Sequence, residues 1–183
     1  MTYGTLRTDY PASSKWLHWL VAASVLTTIP VAIAMGRIAS GPMQNTLFNL
    51  HKSLGILILV LMIARIANRF IVGAPAPDPT LKPWERAASS AVHGSLYVLL
   101  IGMAIMGYVA NSAYGASTPF FGLFDLPPVV AKNEPLSERL FFFHRWTGYL
   151  VGTLAAMHIA AALQHYFIRR DGVLQRMLPE RPN

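Results

Sequence analysis

Four long stretches of this chain carry no charge. Trp16 to Gly36 is the first. Ser53 to Ala64 is the second, and its apolar pattern runs on past Arg65 and Arg69 to Val72. Ala87 to Phe124 is the third, although turn-forming residues interrupt it after about 25 positions. Trp146 to Ile168 is the fourth. A helix that crosses a bilayer needs roughly 20 mostly apolar residues. The pattern therefore predicts four transmembrane helices, near 16–37, 50–72, 88–112 and 141–168, in a single domain spanning 1–183. The connections agree. Ser40-Gly41-Pro42 reads as a turn, and Ala74 to Pro79, with three prolines, reads as a helix stop and an extended linker. Residues 113–140 hold Gly115, Pro119, Gly122, Pro127, Pro128 and Pro135 and read as a long irregular outer loop. Pro30 falls inside the first helix, where a kink is expected.

Composition strengthens this reading. Hydrophobic residues make up 54% of the chain and charged residues 13%, about half the usual charged share of a soluble domain. The mean hydropathy is +0.41. Such a chain has too little polar surface to enclose a soluble globule. There are no cysteines. Disulfides, thiolate metal sites, iron–sulfur clusters, Cys-linked haem and cysteine nucleophiles are excluded.

The net charge of +7 comes from fifteen basic and eight acidic residues. Its distribution decides what it means. Four spans put both termini on one side. That side carries Arg7, Lys15, Arg65, Arg69, Lys82, Arg86, Arg169, Arg170, Arg176 and Arg181; the other carries Arg37, Lys52, Lys132, Arg139 and Arg145. The ten-to-five split predicts both termini in the cytoplasm of a bacterial inner-membrane protein. No basic face with interleaved aromatics appears, so nucleic-acid binding is not expected. A cleaved signal peptide, with Arg7 and Lys15 as its basic region and Ala32-Ile33-Ala34 as its cleavage site, is the competing reading of the first segment. Its apolar run is long for that role and contains a histidine.

All six histidines, His18, His51, His93, His144, His158 and His165, fall in or at the ends of the four predicted helices. Ionisable side chains inside apolar helices are costly and usually functional. His144 and His158 are 14 residues apart. At about 100° and 1.5 Å per residue they return to within roughly 40° of one face, about 21 Å apart along the helix. One helix thus offers an imidazole near each leaflet. His51 begins the second helix at the depth of His144. His18 and His93 lie near the cytoplasmic ends of the first and third helices, and either can face His158 or His165; depth alone leaves those four pairings open. Facing neutral imidazoles in a bundle suit bis-histidine haem b. Gly55, Gly148 and Gly152 follow the outer histidines at intervals of four and leave room for a porphyrin, or alternatively for close helix packing. Arg145 and Lys52 adjoin the outer pair. Arg65, 14 residues after His51, either meets an inner propionate or extends to the cytoplasmic interface; for Arg69 the interface is the expected place. A zinc site would need three or four clustered ligands, and no acidic residue lies in the spans to help.

With these residues in view, the chain resembles the prokaryotic cytochrome b561 family. Lys15-Trp16-Leu17-His18-Trp19, His51-Lys52-Ser53-Leu54-Gly55, His93, His144-Arg145, His158-Ile159-Ala160-Ala161-Ala162-Leu163-Gln164-His165-Tyr166 and the tail Arg170-Asp171-Gly172-Val173-Leu174-Gln175-Arg176-Met177-Leu178-Pro179 carry the resemblance. It covers nearly the whole chain, with the outer loops matching mainly in composition. It implies an all-α membrane four-helix bundle holding two haems b, with iron ligands His18 and His158 for the inner haem and His51 and His144 for the outer. Arg65 and Arg145, from their positions beside the histidines, are the expected propionate partners. His93 and His165, with Lys82 and Trp19 as weaker candidates, become a ubiquinone site; hydrogen bonds to propionates or a proton path are the alternatives for the two histidines.

The resemblance also implies an activity: superoxide oxidised at the outer face and ubiquinone reduced at the inner. Arg37, Lys52, Lys132, Arg139 and Arg145 are the cations available to draw a small anion, offset by Asp125, Glu134 and Glu138. A cytochrome b subunit linking a hydrogenase- or dehydrogenase-type partner to quinone is the alternative. Phe120, Phe121, Phe124 and Leu126 would then form its docking surface; they serve equally as a lid over the outer haem. A non-redox membrane bundle is the third reading.

Overall fold

A computed structural model describes residues 9–178. Arg7 and Arg181, counted above on the cytoplasmic side, and Pro179 of the tail motif lie outside the described residues. Helices run over Ala12–Met35 (α1), Pro42–Val72 (α2), Pro83–Tyr114 (α3) and Glu134–Gln164 (α4). All four are long and apolar enough to cross a membrane. All four start before the uncharged runs do, α2 and α4 by more than ten residues. At α2, α3 and α4 proline explains this: Pro42, Pro83 and Pro135 occupy first-turn positions, where a missing N–H costs nothing. Hydropathy locates the apolar layer, whereas the caps locate the helix. At α4, the Asn133 side chain accepts the Leu136 N–H at 3.1 Å. Helix α1 continues through Pro30.

The helices associate as two pairs. Helix α1 packs along α2 and α3 along α4, while contact between the pairs is sparser and runs mainly between α2 and α3. The buried core is correspondingly small. Val21, Val25, Ile58, Met62, Leu100 and Val151 form its centre, with Tyr97 and Met103 packed against it. Most large apolar side chains, such as Phe70, Val98 and Ile168, point outward. That is the inverse of a soluble globule and the expected surface for a chain surrounded by lipid.

The stretch 113–140, expected to be irregular, is ordered. Thr118–Phe120 (β1) and Phe124–Leu126 (β2) form an antiparallel hairpin, with Thr118 opposite Leu126. Phe121 and Gly122 take positive φ angles of 51° and 73° at its tip. Two polar side chains bind it to the bundle. Asn111 Nδ2 donates to the carbonyls of Ala116 and Ser117 and to Thr118 Oγ1, all within 3.0 Å. Ser53 Oγ, on α2, lies 2.8 Å from the Asn49 carbonyl and 2.9 Å from that of Pro119, and it accepts the Phe121 N–H at 2.9 Å. Tyr108 OH donates to the Pro127 carbonyl. The correction has a physical reason: the Ser53 bonds reach residues 66 and 68 positions away, and local turn chemistry does not reveal them.

At the opposite end both terminal segments meet. Trp19 Nε1 donates to the Met177 carbonyl at 2.8 Å, and the Arg176 guanidinium lies over the Tyr10 ring. The described segment thus begins and ends at one end of the bundle. Ser53→Ala should leave a carbonyl and an N–H of the hairpin unpaired, costing about 1–3 kcal/mol. The expected outcome is a lower melting temperature in detergent and faster proteolysis within 115–130, with the helical signal retained.

Candidate functional site

The gap between the two helix pairs is bridged by histidines at two levels. At the hairpin end, His51 (α2) faces His144 (α4) with ring centroids 6.0 Å apart. At the other end, His18 (α1) faces His158 (α4) at 6.1 Å. All four are half-buried. Helix α4 therefore supplies one imidazole to each level, as its 14-residue spacing requires. His93 (α3) also stands against His158, at 5.0 Å. His165 lies beyond this cluster, at the end of α4, and pairs instead with Asp171.

Hydrogen bonds set which ring nitrogens are free. His144 Nδ1 lies 3.0 Å from the Met103 carbonyl. A carbonyl only accepts, so Nδ1 carries the proton and Nε2 presents a bare lone pair. His93 Nδ1 lies 2.6 Å from the Ser89 carbonyl and is fixed in the same way. His51 Nδ1 is buried, with the backbone of Thr28 as its polar neighbour. At His18, Arg65 Nη1 donates to Nδ1 at 2.9 Å, and Arg65 Nε donates to Tyr97 OH at 2.8 Å. Arg65 thus turns into the bundle, whereas Arg69 is exposed.

The glycines mark where space is open. A Cβ added at Gly55 or Gly152 would meet nothing within 4 Å, and at Gly148 only Met103 Sδ at 3.9 Å. At Gly55 and Gly152 no neighbouring side chain packs, which argues against close helix packing there, whereas at Gly148 Met103 lies at contact distance. Gly107, on α3, is the opposite case. A Cβ there would lie 2.8 Å from His144 Cε1 and 3.1 Å from its Nδ1. Sequence inspection did not single out Gly107, Met103, Tyr97 or Ser53. Their importance comes from contacts across the fold, and none carries a motif of its own.

The remaining candidates are placed as follows. Arg37, Lys132, Arg139 and Arg145 are exposed at the hairpin end. Lys52 is half-buried, and its Nζ donates to the Ser117 carbonyl at 2.8 Å, so it helps hold the loop. Lys82 is exposed at the start of α3. The Trp19 N–H is already engaged by Met177. Phe121, Leu123 and Phe124 are exposed on the hairpin. No group of three or more His, Asp or Glu suited to a metal ion occurs among the described residues.

The family model described as "Prokaryotic cytochrome b561" matches residues 9–180. The chain belongs to the prokaryotic cytochrome b561 family. Among its relatives, "Cytochrome b561 homolog 2" of Escherichia coli (strain K12) is 32% identical over 179 residues, covering 97% of this chain and 95% of that protein. "Probable superoxide oxidase CybB" of Yersinia pestis is 29% identical over 165 residues, covering 90% and 93%. "Cytochrome b562" of Cereibacter sphaeroides is 28% identical over 173 residues, covering 90% and 92%.

Membership in this family implies membrane electron transfer and haem b. The geometry fits such a group. The two facing imidazole pairs, His51 with His144 and His18 with His158, would hold it, and the Met103 carbonyl leaves His144 Nε2 free to ligate. Gly107→Ala should push the His144 ring away. The expected outcome is a lower haem-to-protein ratio with an unchanged far-ultraviolet helical spectrum.

Proposed function

We propose that this chain is a di-haem b oxidoreductase of the inner membrane that takes electrons from superoxide at the outer face and delivers them to ubiquinone at the inner face. The observation that carries the reading is the pair of facing histidines at each of two levels, His51 with His144 and His18 with His158, on opposite walls of one gap. Bound there, haem supplies reversible one-electron chemistry. The relative named as a probable superoxide oxidase supports the choice of donor.

The residues have distinct tasks in this reading. The four histidines hold iron through Nε2. The Met103 carbonyl fixes the His144 tautomer, and Gly107 gives the ring its place against α3. Arg65, held by Tyr97, supplies a positive charge at the inner level for a propionate, and Arg145 does so at the outer. For that, Arg65 must release His18 Nδ1, which then carries the proton a ligating imidazole needs. Arg37, Lys52, Lys132, Arg139 and Arg145 bias the outer face toward a small anion. The hairpin, fastened by Ser53 and Asn111, covers that end and limits access to small molecules. His93 and His165 form the inner quinone site, with Lys82 and Trp19 at its edge. The ten-to-five distribution of basic residues supports cytoplasmic termini.

Superoxide carries one electron and ubiquinone takes two with two protons, so two donor molecules are oxidised to O2 per quinol formed. The test is rapid mixing of the oxidised, haem-loaded protein with a superoxide pulse. Reduction of the haem bands on the mixing timescale, slower at high salt because an anion is being steered, followed by re-oxidation on adding ubiquinone, is expected. Protein that superoxide leaves oxidised but a soluble redox subunit reduces would instead make the chain an electron-transfer subunit, with the exposed hairpin aromatics as its contact.

A further inference from the structure

We infer that Asp171 is a positioning residue for quinol formation, acting through His165 to deliver protons at the inner end; the inference rests on the quinone reading above. Helix α4 does not end in an ordinary way. His165–Arg169 form a single π-helical turn, Arg170 takes the left-handed conformation with φ 54°, and Gly172 follows with φ 83°. This reversal folds Asp171 back onto the helix end. Its Oδ2 lies 2.6 Å from His165 Nδ1 and 3.2 Å from Arg169 Nε, and its Oδ1 accepts the Val173 N–H at 3.3 Å. The Asp171 side chain is only 8% exposed and that of His165 15%.

Stability alone does not account for this placement. A carboxylate at a helix C-terminus meets the negative end of the helix dipole, where a cation is favoured. π-turns and left-handed non-glycine residues are strained, and they cluster at working sites. Here the strain holds a carboxylate against an imidazole. Asp171 accepts the Nδ1 proton, which leaves Nε2 as the nitrogen that faces away and exchanges protons. The carboxylate also stabilises the imidazole when Nε2 is protonated.

Arg169 completes the arrangement. Its Nη1 reaches Glu85 Oε1 at 2.6 Å and its Nη2 the Thr80 carbonyl at 3.3 Å, tying the dyad to the start of α3. Asp78, in the linker before α3, adds a further negative charge that reaches His165. Hydrogen bonds from Thr80 hold its carboxyl below the usual carboxylate range. Arg176 is the other cation acting on Asp78. The charges around His165 are thus Asp171 at contact, Arg169 behind it on Asp171, and Asp78, Glu85 and Arg176 beyond.

The step balances as follows. Ubiquinone gains two electrons, originating from two superoxide ions oxidised to O2, and two protons. Each proton passes from His165 Nε2 to a quinone oxygen, and the imidazole is then re-protonated from cytoplasmic water. Asp171 takes no part in bonding to the quinone.

The experiment compares wild type, Asp171→Asn and Asp171→Glu, each haem-loaded and reduced with dithionite, then mixed with a short-chain ubiquinone. Asp171→Asn is expected to slow re-oxidation at least about tenfold. The slowing should grow from about pH 6 to pH 8, because the lost carboxylate matters most where protons are scarce. Asp171→Glu should restore most of the rate. Nitrogen NMR of histidine-labelled protein should show the His165 proton on Nδ1 in the wild type and shared between the two nitrogens in Asp171→Asn. Equal rates and pH profiles in all three proteins would overturn the inference, as would loss of haem from Asp171→Asn, which would make the dyad purely structural. A wild type that ubiquinone does not re-oxidise would instead sink the quinone reading, and the inference with it.

Discussion

Everything in this molecule follows from keeping two walls of an apolar bundle apart while histidines reach across between them. Imidazole is expensive in a lipid-embedded interior. A bundle that merely needed to pack would close the gap with leucine and valine. Here α1 with α2, and α3 with α4, form close pairs, and the core between the pairs is thin. The four histidines of the two facing levels span that thinness, with ring centres 6.0 and 6.1 Å apart. His93 stands closer still to His158, at 5.0 Å.

The rest of the architecture serves that spacing. Glycine at position 107 is obligatory because the His144 ring occupies the volume a side chain would fill. The Met103 carbonyl leaves the far nitrogen of His144 available. Arg65 is drawn inward by Tyr97 and not outward to the interface, which places a cation beside the inner pair. The hairpin closes one end and the returning C-terminal segment the other. In the proposed reaction these two ends correspond to the electron donor and the electron acceptor, and the two chemistries are kept apart by the thickness of the apolar layer.

Much of this was legible in the residues. Uncharged runs locate four helices because lipid tolerates little else. The 14-residue interval between His144 and His158 foretells one histidine per level because α-helical geometry is rigid. Helix starts were misjudged, since Pro42, Pro83 and Pro135 extend the helices beyond the apolar layer that hydropathy detects. The hairpin was read as irregular because Ser53, which fastens it to α2, acts across the fold. Gly107 looked like any small residue of a membrane helix until His144 was placed beside it. Asp171 stood within the tail motif, but nothing in its neighbours announced a π-turn that would fold it onto His165.

The central claim is that the two facing pairs hold two haems. It is tested most directly by measuring haem per chain in purified protein, with electron paramagnetic resonance, for the wild type and for His51→Ala and His18→Ala. The account predicts two low-spin bis-imidazole haems in the wild type and one in each variant, with a different signal lost each time. A single haem in the wild type, or the same signal lost in both variants, would contradict it.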